Sequence, residues 1–488
     1  MVLPSFGEIF ADFGNDGLAI TFREFLGYFV KQFWPGVNTQ IDKLPYMRLD
    51  YPLLVLPFFL LAIIASIAFW ERPTRRRGVG AGLTTGLLLY VYFNTWVYWV
   101  VVLGLLSAYA FWRRRQDPSR FSGFIACWVT FAIMAISFAV NYLSFSAAPG
   151  AADYLYRQWI AEGREPGLAA LGYAYLFYAF LATAVVRLYW PSQPRKALLF
   201  LAMIAAMVMV WNVQLLTGFV PAPDHWKRII SVVIFIILFK MGADLIQRMG
   251  RNLPRAAVMA TVLIVLFAAA AVTKKIVNVA SLSAGLQPWV AAKYAFPPEL
   301  ADSWTWISEY LPGEPKIISP STMTSQYLAV YTASRPFVPY GILTPLPMAE
   351  IEERFLTANR LFGVSEDRLR AELGDLDRVP PECAGPECFD QRLNFTKTRF
   401  NLYGCYFFRE PFNEAVNRVC AMPDEYREVM LARYRRTRAD WPAVDAEYVF
   451  YGPHERQLVP AGFSFRGDPR FTLVYENPLV EIYRINKR

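Results

Sequence analysis

The chain has 488 residues, of which 55% are hydrophobic and 16% are aromatic. A soluble protein of this size seldom carries so much apolar surface, so a bilayer must solvate part of the chain. The formal charge of +9 does not indicate nucleic-acid binding, because many Arg and Lys residues fall in short loops between apolar stretches. Composition therefore favours a membrane protein and excludes nucleic acid as its partner.

Residues 1–50 are predicted to form an extracytoplasmic segment with an interfacial helix. Apolar residues from Leu18 to Phe33 recur at spacings of three and four, as in an amphipathic helix. Packing of this helix on the C-terminal domain explains the same stripe. The segment has no export signal. Either the charge bias of the first span inserts it, or an upstream chain or subunit supplies missing helices, which we favour.

Apolar stretches of roughly 17 to 25 residues, the length that crosses a bilayer at 1.5 Å per residue, recur from residue 51 onward. They predict about eight transmembrane helices within a domain over 51–274, followed by a linker over 275–297. The expected spans lie near 51–70, 78–95, 97–112, 122–145, 168–190, 197–217, 229–247 and 255–273.

The loops between these spans sort by charge. Basic loops alternate with a tight turn near Asn94, a mixed-charge segment over 146–167 and a short loop around Asp224. Because positive loops stay in the cytoplasm, both termini are expected to be extracytoplasmic in a multi-pass protein of the plasma membrane. The basic loops lie at 71–77, 113–120, 191–196 and 247–255.

Residues 298–488 read as an extracytoplasmic α/β domain. Helices are expected at WTWISEYL, SQYLAVY and AEIEERFLTANRLF, and strands at KIIS, FVPYG and AEYVFYG. The closing FTLVYENPLVEIYRI predicts a hairpin with its turn at Glu476, Asn477 and Pro478. The predicted fold class is thus a polytopic α-helical membrane protein with a C-terminal α/β domain.

Four cysteines of this domain can form disulfides in an oxidising compartment, and three pairings of four cysteines exist. Zinc is the rival interpretation, but the spacings form no paired CxxC knuckles. The four are Cys383, Cys388, Cys405 and Cys420.

Acid–base chemistry has few candidates in this chain. It contains two histidines and no P-loop, GxGxxG, HExxH or GxSxG motif. On the outer face Asp12, Asp16 and Asp224 are candidate bases towards an acceptor hydroxyl, and Asp224 beside His225 is the candidate ligand pair for a divalent cation. Solvated loop acids, or a helix N-cap at Asp16, explain the same residues without function.

Four cations on the outer edge run against the positive-inside rule. Lys227, Arg228, Lys274 and Lys275 are candidates to bind the phosphate of a lipid carrier through charge-assisted hydrogen bonds. Snorkelling at helix ends explains them equally well without a ligand.

Polar residues also occur inside the predicted spans. Lys240 and Asp244 lie one helical turn apart near a cytoplasmic end, where mutual neutralisation favours a structural pair over a proton relay. The intramembrane amides are Asn94, Asn141, Asn212 and Gln214.

Three stretches carry a resemblance to a known family. GVGAGLTTGLLLYVYFNTWVYW, ADSWTWISEYLPGEPKIIS and EYVFYGPHER with the closing hairpin resemble, in this order, parts of the GT-C superfamily of membrane glycosyltransferases. The resemblance implies transfer of a sugar from a polyprenyl-phosphate or polyprenyl-diphosphate carrier at the outer face. It also implies an essential Asp in the first outer loop, for which Asp12 or Asp16 stands in by position.

A lipid-carrier-dependent glycosyltransferase is therefore the leading functional hypothesis. A non-catalytic subunit of a membrane complex that keeps this fold is the alternative, and a carbohydrate or lipid transporter is the third. An acid and basic residues that converge on one cavity would favour the enzyme. A continuous polar path across the spans would favour the transporter, but only four amides and one ion pair are available to line it.

Overall fold

The chain forms two compact units in a computed structural model. Unit 1 comprises Met1–Leu143 and Gly163–Ser283, and unit 2 comprises Ser144–Glu162 and Ala284–Arg488. The structure describes residues 52–158, 160–162, 164, 172–221, 224–252, 254–255, 258–259, 261–262, 265, 269, 296–374, 398–404, 406–407, 422–438 and 440–487.

Helices dominate the described part of the chain. Up to residue 252 the elements are α1 (Pro52–Glu71), α2 (Arg75–Leu87), α3 (Phe93–Trp112), α4 (Pro118–Ser146), α5 (Ala151–Arg157), β1 (Ile160–Glu162), α6 (Gly172–Tyr189), α7 (Pro194–Trp211), α8 (Gln214–Thr217), β2 (Phe219–Pro221) and α9 (Asp224–Asn252). From residue 298 they are α10 (Pro298–Tyr310), β3 (Lys316–Ile318), α11 (Thr322–Tyr331), β4 (Arg335–Pro336), α12 (Met348–Leu361), α13 (Glu366–Gly374), α14 (Thr398–Tyr403), α15 (Asp424–Arg436), β5 (Tyr448–Tyr451), α16 (Pro453–Leu458), β6 (Phe471–Glu476) and β7 (Glu481–Ile485).

Among the described residues four helices are long and apolar enough to cross a membrane, which bears out a helical membrane protein. They are α3, α4, α7 and the Ile229–Gly250 part of α9, and the stretches Val55–Glu71 and Ala174–Tyr189 are shorter apolar helices. The predicted span 78–95 is interrupted, because α2 ends at Leu87 and a 3-10 turn follows it. The span predicted at 255–273 and the linker lie largely or wholly outside the described residues.

A glycine seam joins α2 to α4 in unit 1. Gly78, Gly82 and Gly86 lie four residues apart on one face of α2. A Cβ atom at Gly78 would lie 2.1 Å from the carbonyl oxygen of Gly123, and one at Gly82 would lie 2.2 Å from that of Cys127. The absence of side chains therefore permits direct backbone contact, the small-residue packing typical of membrane helices.

Polar contacts join α3 to its neighbours in the apolar core of unit 1. The indole N–H of Trp99 donates to Ser66 Oγ on α1 at 2.9 Å, and the Tyr98 hydroxyl donates to the Met203 carbonyl on α7 at 2.8 Å. Both aromatic side chains are fully buried. Each ring thus contributes apolar area while its polar atom is satisfied.

The basic loops gather at one end of unit 1. The indole N–H of Trp70 donates to the Arg195 carbonyl at 2.8 Å, and the Arg120 guanidinium lies 4.3 Å from the Trp70 ring centroid. Lys196 at the start of α7 contacts Asp244 on α9, with 3.1 Å between Nζ and Oδ2. We call this end, marked by Trp70, Arg120, Arg195, Lys196 and Asp244, the basic end.

Unit 2 contains a five-stranded sheet in the order β4-β3-β5-β7-β6. Strands β4, β3 and β5 are parallel, and β7 is antiparallel to both of its neighbours, β5 and β6. The β6–β7 pair confirms the hairpin, and β3 lies at the predicted KIIS strand. The strand predicted at FVPYG is wrong, because β4 covers Arg335–Pro336 and ends just before this stretch.

Helices cover both faces of this sheet. Neighbouring strand residues point to opposite faces, so Ile317 joins an apolar cluster with Trp304 and Leu328, whereas Ile318 joins one with Ile351 and others. The first cluster packs under α10 and α11, and the second under α12, α13 and α15. Unit 2 is therefore a three-layer α/β structure with a buried sheet.

Part of the mixed-charge segment over 146–167 belongs to unit 2. Its helix α5 places Asp153 so that Oδ2 accepts a hydrogen bond from the Met348 N–H at 2.7 Å. One turn later Arg157 donates through Nη2 to the Thr344 and Leu346 carbonyls at 2.7 and 2.9 Å. The segment is thus a structural part of the α/β unit.

Candidate functional site

Most predicted site residues lie outside what the structure describes. Asp224, His225, Lys227 and Arg228 fall on α9, which begins at Asp224, and their side chains are not described. The carboxylates, cations and cysteines that lie wholly outside the described residues are Asp12, Asp16, Lys274, Lys275, Cys383, Cys388, Cys405 and Cys420.

The start of α9 lies at the end of unit 1 opposite the basic end. The Phe93 ring at the start of α3 lies 6.5 Å from the Trp226 ring, centroid to centroid. Asp244 lies 20 residues after Asp224, which corresponds to about 30 Å of helix, the thickness of a hydrocarbon core. A single helix therefore separates the two ends by one membrane thickness.

Polar side chains from three helices surround this second end. Asn212 donates through Nδ2 to the Tyr175 hydroxyl at 2.7 Å, and the Trp211 indole N–H donates to the Tyr178 hydroxyl at 3.2 Å. Gln214 is buried beside them. We call the end marked by Asn94, Asn212, Gln214 and Trp226 the amide end. Asn94, Asn212 and Gln214 are three of the intramembrane amides noted in the sequence.

Asn94 has unused hydrogen-bonding capacity. It lies in the first turn of α3 rather than in the tight turn expected from the sequence, and it is 3% exposed. Among the described residues its Nδ2 atom has no hydrogen-bond partner. Because an unpaired buried amide costs free energy, this donor suits a ligand oxygen.

The first two turns of α9 contain an acid and two basic residues. Lys227 and Arg228 follow Asp224 by three and four residues, the spacing of neighbours on a helix. A carboxylate can take a proton, and the two cations can neutralise a phosphate.

The Lys240–Asp244 pair is part of a larger cluster at the basic end. Asp244 Oδ1 accepts from Lys240, while Oδ2 accepts from Lys196 at 3.1 Å and from the Tyr189 hydroxyl at 2.8 Å. The one-turn spacing in the sequence identifies Lys240 as a partner of Asp244, but it does not identify Tyr189 on α6 or Lys196 on α7. Both carboxylate oxygens are engaged, which agrees with a structural role for Asp244.

A buried carboxyl group closes the edge of the sheet in unit 2. Glu455 Oε1 accepts from Ser319 Oγ at 2.5 Å and Thr324 Oγ1 at 2.6 Å, and Oε2 accepts from the Gly452 N–H at 2.9 Å. Burial raises the pKa of this carboxyl above its ordinary value, while the two hydroxyls oppose the rise. These contacts join the carboxyl ends of β3 and β5, where α/β sheets commonly bind ligands. Here the protein itself uses the acceptor oxygens.

A second buried acid in unit 2 is also saturated. Glu352 accepts from the hydroxyls of Tyr403 and Tyr426 at 2.9 and 2.6 Å and pairs with Arg433. Burial, reinforced by the nearby Glu352 charge, raises the pKa of both phenols. Neither Glu352 nor Glu455 is therefore free to act as a base.

Metal ligands do not cluster in the described part of the chain. Within it, no group of three or more His, Cys, Asp or Glu side chains could hold a metal ion. The side chains of Asp224 and His225, the ligand pair expected from the sequence, are not described, so their role towards a cation stays a prediction.

Comparison with models of protein families and with curated proteins gives no match for this chain. The functional conclusion therefore depends on the chemistry at the amide end and on the arrangement of the two units along the chain.

Proposed function

We propose that this chain is a membrane glycosyltransferase of the GT-C type, which transfers a sugar from a polyprenyl-phosphate or polyprenyl-diphosphate carrier to an acceptor at the outer face. The observation that carries the proposal is that two separate stretches of the chain form unit 2. Residues 144–162 and 284–488 form one α/β unit although apolar helices separate them along the chain.

The formation of unit 2 from two stretches supports an even number of membrane crossings between them. A unit on one membrane face requires the chain to return to that face. The apolar helices α6, α7 and α9 supply three crossings, so a fourth is needed before residue 284, as predicted at 255–273. The four passages predicted before residue 144 bring the proposed total to eight.

We place the proposed site at the amide end of unit 1, on the outer face that the pattern of basic loops predicts. The side chains of Tyr175 and Tyr178 on α6 belong to this end. The helix α9 begins at that end with Asp224. In a multi-pass protein of the plasma membrane, the basic end would then face the cytoplasm.

The proposed chemistry uses Asp224 as the general base. The carboxylate takes the proton of the acceptor hydroxyl, whose oxygen attacks the anomeric carbon of the sugar. The bond from that carbon to the phosphate oxygen breaks, and the carrier phosphate departs with the electron pair. Lys227 and Arg228 stabilise the growing negative charge on the phosphate, and Asn94 donates a hydrogen bond to an oxygen of the carrier-linked sugar.

Transfer of labelled sugar tests this proposal. The full chain in lipid nanodiscs is incubated with a panel of polyprenyl-phosphate and polyprenyl-diphosphate sugars and a crude acceptor fraction. We expect transfer by the unaltered protein and a loss of about 10²-fold or more in Asp224→Asn. Asp302→Asn, which alters an exposed acid of unit 2, is the matched control and should retain activity.

Two results would overturn the assignment of Asp224 or of the enzyme. Loss of activity in Asp12→Asn or Asp16→Asn, with Asp224→Asn active, would move the base to the N-terminal segment. Absence of transfer from every donor, with co-purification of a second membrane protein, would favour the accessory subunit.

A further inference from the structure

The Asp244 cluster at the basic end holds two ammonium groups around one carboxylate. Lys196 and Lys240 approach Asp244 from α7 and α9, and Tyr189 approaches from α6. The Lys196 ammonium also lies 5.0 Å from the Tyr189 ring centroid. Three helices therefore fix the positions of both cations.

The cluster has one positive charge in excess. Each ammonium has three N–H donors, and in the described part of the chain each makes its hydrogen bond to Asp244 alone. The Lys240 side chain is 46% exposed and that of Lys196 is 24% exposed. Donors therefore remain on both cations, at positions that an anion can reach.

The surroundings of the cluster are basic and then apolar. Arg187, Arg195 and Arg248 are exposed nearby, and Asp244 is the one acid in the sequence over 187–196 and 240–252. Arg248 donates one hydrogen bond to the Leu188 carbonyl, which holds its guanidinium beside α6. Exposed apolar side chains flank the cluster on the same helices, namely Val186, Phe239 and Leu245.

We propose that this cluster binds the phosphate of an anionic phospholipid headgroup. Fixed cations between membrane helices give charge-assisted hydrogen bonds to phosphate oxygens, and the apolar flanks fit acyl chains. The excess positive charge repels the choline or ethanolamine group of a zwitterionic lipid. The ligand is therefore a phospholipid whose headgroup carries a net negative charge, bound at the end opposite the proposed catalytic site.

Lipid titration of the full chain tests the proposal. Native mass spectrometry of the detergent-solubilised protein measures binding of phosphatidylglycerol, phosphatidylcholine and inorganic phosphate. We expect preferential binding of phosphatidylglycerol, weakened about tenfold or more in Lys196→Gln/Lys240→Gln/Asp244→Asn. This triple variant leaves none of the three charges of the cluster without its partner.

A control that removes the same number of cations elsewhere isolates the site from the general basic surface. Arg76→Gln/Arg115→Gln removes two exposed cations from other basic loops and should bind phosphatidylglycerol as the unaltered protein does. Equal loss in this control, equal affinity in the triple variant, or equal affinity for phosphatidylcholine would overturn the proposal. Displacement of the lipid by millimolar inorganic phosphate alone would overturn the assignment to a lipid.

Discussion

Asp153 Oδ2 accepts a hydrogen bond of 2.7 Å from the backbone N–H of Met348, although 195 positions separate the two residues along the chain. Met348 is the first residue of α12, so the carboxylate satisfies an N–H group that the helix itself cannot. A segment between two apolar helices thereby caps a helix of the α/β unit.

Removal of this cap should destabilise unit 2. We expect Asp153→Ala to lower the free energy of unfolding of unit 2 by about 1 kcal/mol, because the Met348 N–H loses its acceptor. Asp153→Asn retains an acceptor oxygen and should recover most of the loss. Protease resistance of unit 2 in the full chain measures both, and equal loss in the two variants would mean that charge matters more than hydrogen bonding.

The glycine seam of unit 1 allows a comparison within one helix. A Cβ at Gly82 would overlap the Cys127 carbonyl, whereas a Cβ at Gly80 would meet nothing within 4 Å. We expect Gly82→Ala to lower the free energy of unfolding by about 1–3 kcal/mol. Gly80→Ala should be neutral or slightly stabilising. Thermal unfolding in nanodiscs measures the difference, and equal transition temperatures would contradict close packing of α2 on α4.

Glu455 should make the stability of unit 2 depend on pH. Burial raises the folded-state pKa of this carboxyl above its ordinary value of 4.5, so the folded state holds the proton more tightly. Its stabilising contribution is complete below the unfolded pKa and is lost as pH rises through the folded pKa. Glu455→Gln should therefore unfold with a weaker pH dependence above about pH 4.5 than the unaltered protein.

Two substitutions at position 455, to Gln and to Ala, distinguish the effect of the charge from that of the hydrogen bonds. Gln can accept from Gly452 and donate one N–H each to the hydroxyls of Ser319 and Thr324, whereas a protonated acid has a single O–H to donate. Ala removes the acceptor of the buried Gly452 N–H and of the Thr324 hydroxyl, so Glu455→Ala should cost about 2 kcal/mol or more at any pH. A chemical-denaturation series from pH 4 to pH 8 distinguishes the variants. An unchanged pH profile in Glu455→Gln would refute the raised pKa.

Asn94 should show opposite effects on stability and on substrate binding. Leu has a similar volume and no unpaired donor, so Asn94→Leu should be as stable as the unaltered protein or more stable. Under the proposed function, the same change should raise the KM for the carrier-linked sugar. A loss of stability with an unchanged KM would mean that the Nδ2 atom has a structural partner instead.

The apolar stretches predict the four span-length helices found among the described residues, because hydrocarbon thickness fixes their length. The stretch 78–95 is not one helix, since α2 ends at Leu87, and α3 begins at Phe93 and buries Asn94, where the sequence predicts a tight turn. Lys240 and Asp244 are visible as a pair at one-turn spacing. The sequence does not identify Lys196 and Tyr189 as partners of Asp244, because they approach from other helices. Local spacing holds no information about helix packing.

The structural role of α5 also cannot be predicted from the sequence pattern. Asp153 and Arg157 have one-turn spacing in a mixed-charge loop, but their partners near Met348 lie almost 200 positions away. In the α/β unit, alternation of apolar and polar residues predicts β3 and the final hairpin. The capping contact between Gly452 and Glu455 is not predicted, because the sequence pattern there indicates only a strand and the residues that follow it. Eight spans and the catalytic role of Asp224 remain predictions.

Thiol labelling from one side of the membrane tests most directly whether both stretches of unit 2 share a face. Single cysteines replace the exposed residues Ala152, Asp302, Arg115 and Ser192 in a chain whose natural cysteines are changed to serine or alanine. We expect an impermeant maleimide to label Ala152→Cys and Asp302→Cys in intact cells, and Arg115→Cys and Ser192→Cys only after permeabilisation. Labelling of Ala152→Cys and Asp302→Cys from opposite sides would contradict the proposed arrangement.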